Sequence, residues 1–311
     1  MKIKLLIVMF VFFCVTTLSS DEGNIFFVCD NVRIVIKEWS GDNFKIGEDE
    51  YGYDMFLYPS KKGDYQITTT LYPYNSDKTS NEQLKSIITK QGQELLPSAV
   101  EKELSIEELN KNGKIKGYFY FLTDKNDVSN KEGEYAYLIQ GIIRYNYLLG
   151  SFTILSNDKK VKTAFLSDIY DLVNDRLEIG ETKNFEKIKL NPSEIKKYNL
   201  SHIKNFYSNH QALFYNNSNN YRHILPVISE KYTQSTDNNG EQGTVFYYYF
   251  DEKLDDGHKS FLTKLFFGQG KPGSKEYPEL MLIKDNYLII FSFPYQSKDG
   301  KEIYDIVKKK L

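Results

Sequence analysis

Residues 117–155 read GYFYFLTDKNDVSNKEGEYAYLIQGIIRYNYLLGSFTIL. Three apolar or aromatic runs, 117–123, 134–144 and 147–155, are separated by short breaks rich in Asp, Asn and Gly, the pattern of consecutive antiparallel strands. In the first run Gly117, Phe119 and Phe121 share one face and Tyr118, Tyr120 and Leu122 the other. In the second, Tyr135, Tyr137, Ile139 and Ile143 oppose Ala136, Leu138 and Ile142. Strands apolar on both faces offer neither face to water, so this sheet is expected to be covered on both sides.

Two helices are legible as the covers. Ser80-Asn-Glu-Gln83 is a capping box, followed by Leu84, Ile87, Ile88, Gln91 and Leu95 on one helical face and stopped by Pro97. After Asn157-Asp158, a second stripe of Val161, Ala164, Phe165, Ile169, Leu172 and Val173 runs to about Arg176. Upstream, Val32, Ile34 and Ile36 alternate as a strand. Residues 53–58 and 65–71 flank Pro59-Ser-Lys-Lys-Gly63-Asp64 as a hairpin, and residues 101–109 admit a further strand. The order is that of an α+β domain with two helices on an antiparallel sheet.

Gly117-Tyr-Phe-Tyr-Phe-Leu-Thr-Asp-Lys125, Tyr137-Leu-Ile-Gln-Gly141 and Phe152-Thr-Ile-Leu155 resemble a pattern of uncharacterised secreted bacterial proteins. The element order over residues 26–178 is similar to the PsbP-like and DcrB-like α/β/α sandwiches. The resemblance implies a periplasmic or lumenal binding or assembly role and brings no catalytic residues with it.

Residues 179–190 are polar and charged and read as a linker, giving a first domain at 21–178 and a second at 191–311. Asn191-Pro-Ser-Glu194 carries the signals of a helix start. Residues 216–220 and 236–243 read as polar loops, 225–232 and 244–250 as strands. The run 259–267 fits helix or strand. Asp285-Asn286 joins 280–284 to 287–293 as a hairpin, and Asp299-Gly-Lys-Glu302 opens a last helix with Ile303, Tyr304, Val307 and Leu311 on one side. The second half is therefore α+β as well.

The address comes from the N-terminus. Lys2 and Lys4 precede an uninterrupted apolar run at 5–15, then small and hydroxylated residues, which together predict a signal peptide over 1–20 cleaved near Ser19 or Ser20. The run is shorter than the roughly 20 residues of a membrane-spanning helix. No later segment approaches that length, and Cys14 lacks the small residues that precede a lipidated cysteine. The expectation is a secreted or periplasmic chain with no transmembrane segment in its mature form.

Cleavage leaves Cys29 without a cysteine partner in the chain, read as a small hydrophobe at the end of an apolar run. Loss of Lys2 and Lys4 takes the formal charge from −2 to −4. No basic domain or face stands out, so nucleic acid is not an expected partner. Lys308, Lys309 and Lys310 fit the last turn of the final helix, where cations complement the dipole.

The requirements of the common catalytic and metal signatures are not met in this sequence. Residues 268–275 place Pro272 in the would-be phosphate cradle and Ser before Lys, which reads as a turn. EF-type loops at 252 or 235 fail at the twelfth position. The four histidines form no H-E-x-x-H pair, and there is no G-x-S-x-G elbow. A looser metal site from Asp251, Asp255, Asp256 and His258 stands against a solvated turn. Tyr135, Tyr137 and residues 247–249 could form a sugar platform only if their rings are exposed, and their strand pattern favours the core. No cofactor is expected. The expected function is a non-catalytic binding or assembly module with an envelope or secreted protein as partner. The alternative is a hydrolase acting on a cell-wall or extracellular polymer.

Overall fold

The computed structural model describes residues 24–36, 45–48, 53–62, 64–72, 79–111, 113, 115–126, 133–146, 148–180, 182–201 and 204–311. The expected signal peptide and His202 lie outside them, as does the side chain of Cys29. The chain is α+β and forms two compact units. One takes Ile36–Asp49 and Asp54–Leu177; the other takes Glu178–Leu311 together with the described residues 24–35.

The first unit is built on a seven-stranded antiparallel sheet in the order β3-β4-β5-β9-β8-β7-β6. Its strands are β3 (Lys45–Glu48), β4 (Asp54–Pro59), β5 (Gln66–Tyr72), β6 (Glu107–Lys111), β7 (Ile115–Thr123), β8 (Tyr137–Tyr145) and β9 (Leu148–Ser156). Both faces are covered, as the two-sided apolar strands require. Helix α1 (Asn81–Leu95), opened by the Ser80–Gln83 capping box, lays Leu84 and Ile88 on Tyr120, Leu122, Ile142 and Leu149. Ile87, expected on the buried stripe, is 42% exposed, because Gly92 and not a larger residue completes the packed face.

Helix α2 (Val161–Asp171) covers the other face. Phe165 is fully buried, its ring 5.0 Å from that of Phe119 at 72° and 6.3 Å from that of Phe152. Burial of such a side chain contributes about 2–3 kcal/mol. Gly141, paired with Phe152 across β8 and β9, makes the arrangement possible: a Cβ there would lie 2.3 Å from Phe152 Cζ and 2.9 Å from Phe119 Cβ.

The second unit carries a five-stranded antiparallel sheet in the order β11-β12-β13-β15-β14: β11 (Asn199–Ser201), β12 (Ile228–Asn238), β13 (Glu241–Phe250), β14 (Leu280–Lys284) and β15 (Tyr287–Ser292). Helices α3 (Asn209–Asn217) and α4 (Asp256–Phe267) pack Phe214, Tyr215 and Phe266 on Phe246, Tyr248 and Ile290. Helix α5 (Lys298–Lys310) packs Ile303 and Val307 on the opposite face with Tyr247, Ile289 and Phe291.

Several local expectations change here. Asn191-Pro-Ser-Glu194 makes one turn, with Glu194 N bonded to Asn191 O, and no helix follows. Ile195 and Tyr198 are drawn into the core, and residues 199–201 are needed as a strand. The polar stretch 236–243 is mostly strand: β12 and β13 pair out to Asn238 and Glu241, and Asn239 and Gly240 turn the chain with φ of 54° and 91°. Run 259–267 is helical. The last helix is capped by Ser297, whose Oγ accepts from Gly300 N. Asp299 instead accepts from Tyr198 Oη at 3.1 Å and Asn238 Nδ2 at 2.7 Å.

Residues 24–35, placed with the first domain by their order in the chain, group with the second unit. Strands β1 (Asn24–Cys29) and β2 (Val32–Ile36) form a three-stranded sheet with β10 (Leu177–Ile179). Phe27 enters the α3–α4 core, Asn31 Oδ1 accepts from Lys231 N at 3.1 Å, and Thr233 Oγ1 donates to Asp30 Oδ1.

Gly141→Ala must displace the Phe152 ring from its place beside Phe165. The expected outcome is a loss of about 1–3 kcal/mol of unfolding free energy, read from urea denaturation, with the fold retained.

Candidate functional site

Between α2 and the sheet of the first unit lies a cavity of about 30 Å³. Its walls are almost entirely hydrocarbon, with Phe56 and Gly150 from the strands and Ile169, Leu172 and Val173 from the helical side. Tyr145, half buried, is the wall residue that reaches solvent. Apart from the Tyr145 phenol, the polar side chain in the lining is Thr69, which is 4% exposed and whose hydroxyl has no hydrogen-bond partner among the described residues. A void of this size is several times smaller than the roughly 150 Å³ that holds a benzene ring, and suits one or two carbon atoms.

The helical wall is irregular where it borders the cavity. Past Asp171 the chain widens into a π turn at Leu172–Arg176, closed by Leu177 N donating to Leu172 O five residues back. π turns are rare and recur at functional sites because the extra residue re-aims side chains. Here it leaves two consecutive residues, Leu172 and Val173, both buried against the cavity.

Two tyrosine–aspartate bonds pin α2 beside it. Tyr65 Oη donates to Asp168 Oδ2 at 2.5 Å, and Tyr58 Oη donates to Asp171 Oδ2 at 2.9 Å. Asp171 also faces Lys61 and Arg176, each at 3.6 Å. Burial pushes both phenols well above the usual tyrosine range. For Tyr65 the hydrogen bond to Asp168 and that carboxylate's charge add to the shift, and for Tyr58 the charge of Asp171 does.

Of the proposed metal ligands, Asp255 and His258 come together as a helix cap. Asp255 Oδ1 accepts from His258 N at 2.8 Å, which holds its carboxyl below the ordinary range, and His258 Nδ1 lies 3.3 Å from Asp255 N. Asp256 turns to Lys259, 3.2 Å away, and Asp251 is exposed with its N–H on Val227 O. Among the described residues no three His, Cys, Asp or Glu side chains are grouped to hold a metal. His223 is exposed, and the His210 ring lies 6.5 Å from Tyr277. Residues 268–275 form turns in which Gly268 N bonds Lys264 O and Gly273 N bonds Glu279 O. Tyr247 and Tyr248 are core residues on opposite faces of β13, while Tyr135 is 43% exposed.

No family model matches the chain and no curated protein matches it in sequence. Among solved structures it resembles cyanobacterial PsbP (CyanoP) from Synechocystis sp. PCC 6803, with 10% identity and a TM-score of 0.31 over 52% of this chain and 95% of that one. It is also similar to TP0453, with 9% identity and a TM-score of 0.26 over 77% of this chain and 74% of that one. The third is the immunity protein TplEi of Pseudomonas aeruginosa, with 10% identity and a TM-score of 0.26 over 87% and 97%. The PsbP-like resemblance expected over residues 26–178 is matched by a weak structural likeness to PsbP. Among the described residues no helix is long and apolar enough to cross a membrane.

Asp168 and the π turn had no signal in the sequence. Thr69 sits in a Thr-Thr-Thr run, where alternation puts it on one face with the buried Ile67 and Leu71, but its place beside a cavity comes only from the fold.

The raised phenols set a pH dependence. Tyr58 and Tyr65 ionise near 10 when unfolded and well above that when folded, so their contribution is intact below about pH 10 and is lost as pH rises beyond it. Urea midpoints measured from about pH 9 to about pH 11 should fall above pH 10, and fall less steeply in the Tyr58→Phe/Tyr65→Phe variant.

Proposed function

We propose that the chain is a secreted or periplasmic, non-catalytic binding or assembly module whose first unit takes the apolar end of an envelope or secreted component beneath α2. The observation that carries this reading is the cavity itself: hydrocarbon walls, the Thr69 hydroxyl and a π turn along one side. A ligand of one or two inserted carbons gains about 0.8 kcal/mol for each methylene buried, and Thr69 offers a single point of orientation. The small size means that only a terminus enters, the rest of the partner lying outside, by Tyr145.

The test is a titration of the full mature chain with octanol, followed by methyl NMR. Ile169, Leu172 and Val173 methyl signals are expected to shift and saturate, and Val173→Phe, which plugs the void, should weaken binding at least about tenfold. Methyls that stay still in the wild type, or binding unchanged by the plug, would sink the reading.

Secretion is supported by Lys2, Lys4 and the apolar run at 5–15. Intact-mass measurement of the exported protein should place the mature N-terminus just after Ser19 or Ser20; retention of Met1 through Ser19 would refute cleavage.

A further inference from the structure

A polar row crosses one end of the second unit's sheet. Ser201 pairs with Ser235, Ser235 with Thr244 and Thr244 with Ser292, and the register of β14 on β15, Leu280 against Phe291, carries Glu279 to the place beside Ser292. Ser235, Thr244, Ser292 and Glu279 are all at most 2% exposed. The hydroxyls are served: Ser235 Oγ and Thr244 Oγ1 lie 3.0 Å apart, Thr244 Oγ1 accepts from Asn205 N at 3.0 Å, and Ser292 Oγ accepts from Tyr207 N at 2.9 Å.

Glu279 ends the row differently. It is 0% exposed, and among the described residues neither carboxylate oxygen has a hydrogen-bond partner. The start of α3 is held over this end by two contacts, Tyr207 on Ser292 and His210 on Tyr277. It brings Gln211, which is 2% exposed and whose amide oxygen and nitrogen are both without partners. Glu279 on the sheet and Gln211 on the helix whose start is held over that end are thus both enclosed and have unused oxygen donors.

We propose that Glu279, with the Gln211 amide oxygen and the Ser292 hydroxyl as neighbours, forms a buried site for a hard cation. A carboxylate enclosed in protein is costly as an anion unless a cation or several donors face it. Unsatisfied buried polar groups in native proteins call for an unseen ion or water. The donor set is all oxygen, with no thiolate or imidazole, which selects calcium or an alkali cation over zinc or copper. The cation would neutralise Glu279 and tie the 268–279 turn to α3, since Gly273 N already bonds Glu279 O at 3.0 Å. This site is independent of the cavity in the first unit.

The experiment uses the full mature chain, stripped with chelator and melted with and without calcium, magnesium, sodium or potassium chloride at constant ionic strength. One of these cations should raise Tm by about 5 °C, with one equivalent retained through gel filtration, and Glu279→Gln should lose both effects. Should Glu279→Gln fail to fold, Gln211→Met carries the test, with an expected fall in the shift by at least about half. No shift from any of the cations in the wild type overturns the site, leaving a buried water only. An undiminished shift in either variant overturns it as well, by placing the ion elsewhere.

Discussion

Strands that are apolar on both faces leave a chain no choice but to sandwich them, and most of this molecule follows from that constraint. In the first unit, Tyr120, Leu122 and Ile142 meet α1 while Phe119 and Phe152 meet α2. In the second, Phe246 and Tyr248 meet α3 and α4 while Val245 and Tyr247 meet the α5 side. The covering side chains are bulky aromatics, so space must be made for them by omission. Gly141 does this for Phe152, and Gly243, whose Cβ would lie 2.2 Å from Phe293, does it in the second sheet.

Covering both faces also buries polar atoms, and the two units treat them differently. Around α2, Tyr58 and Tyr65 give the aspartates neutral donors, which satisfies a carboxylate at less desolvation cost than a buried ion pair. Asp299 is met by the neutral donors Tyr198 and Asn238 and also by the Lys197 cation. Against that background, the buried polar atoms without a partner among the described residues include the Thr69 hydroxyl in the first unit and the Gln211 amide and Glu279 carboxylate in the second. Well-packed proteins hold few such groups, and each calls for an explanation in strain, in function, or in a bound water or ion.

Long periodic elements were legible in the sequence because burial and local propensity agree in them: the Ser80 capping box, the Phe165 stripe, the three strands of 117–155 and the Asp285-Asn286 hairpin all stand where their residues place them. Misreadings occur where tertiary pairing outweighs a local signal. Asn191-Pro-Ser-Glu194 does cap itself, with Glu194 Oε2 accepting from Asn191 N, yet Lys310 claims the same carboxylate and the chain leaves the helical path after one turn. Thr236 looks like a loop residue and is a buried strand residue, because its hydroxyl finds a partner across the sheet. The cavity was illegible for a different reason: it is made by what residues from separate elements fail to fill, and a single π turn changes which ones those are.

The β1–β2 hairpin closes contacts over great lengths of chain. Asn31 and Lys231 are 200 residues apart, and Asp30 and Thr233 are 203. A ribosome adding about 5–20 residues each second needs on the order of 10–40 s to deliver β12 after β2 has emerged. Through that interval two short strands with apolar inward faces have no core to enter, and a lone hairpin is at best marginally stable in water. The earliest-made strands are therefore among the last to be consolidated. The second unit cannot be complete until the whole of the first has been synthesised between its parts.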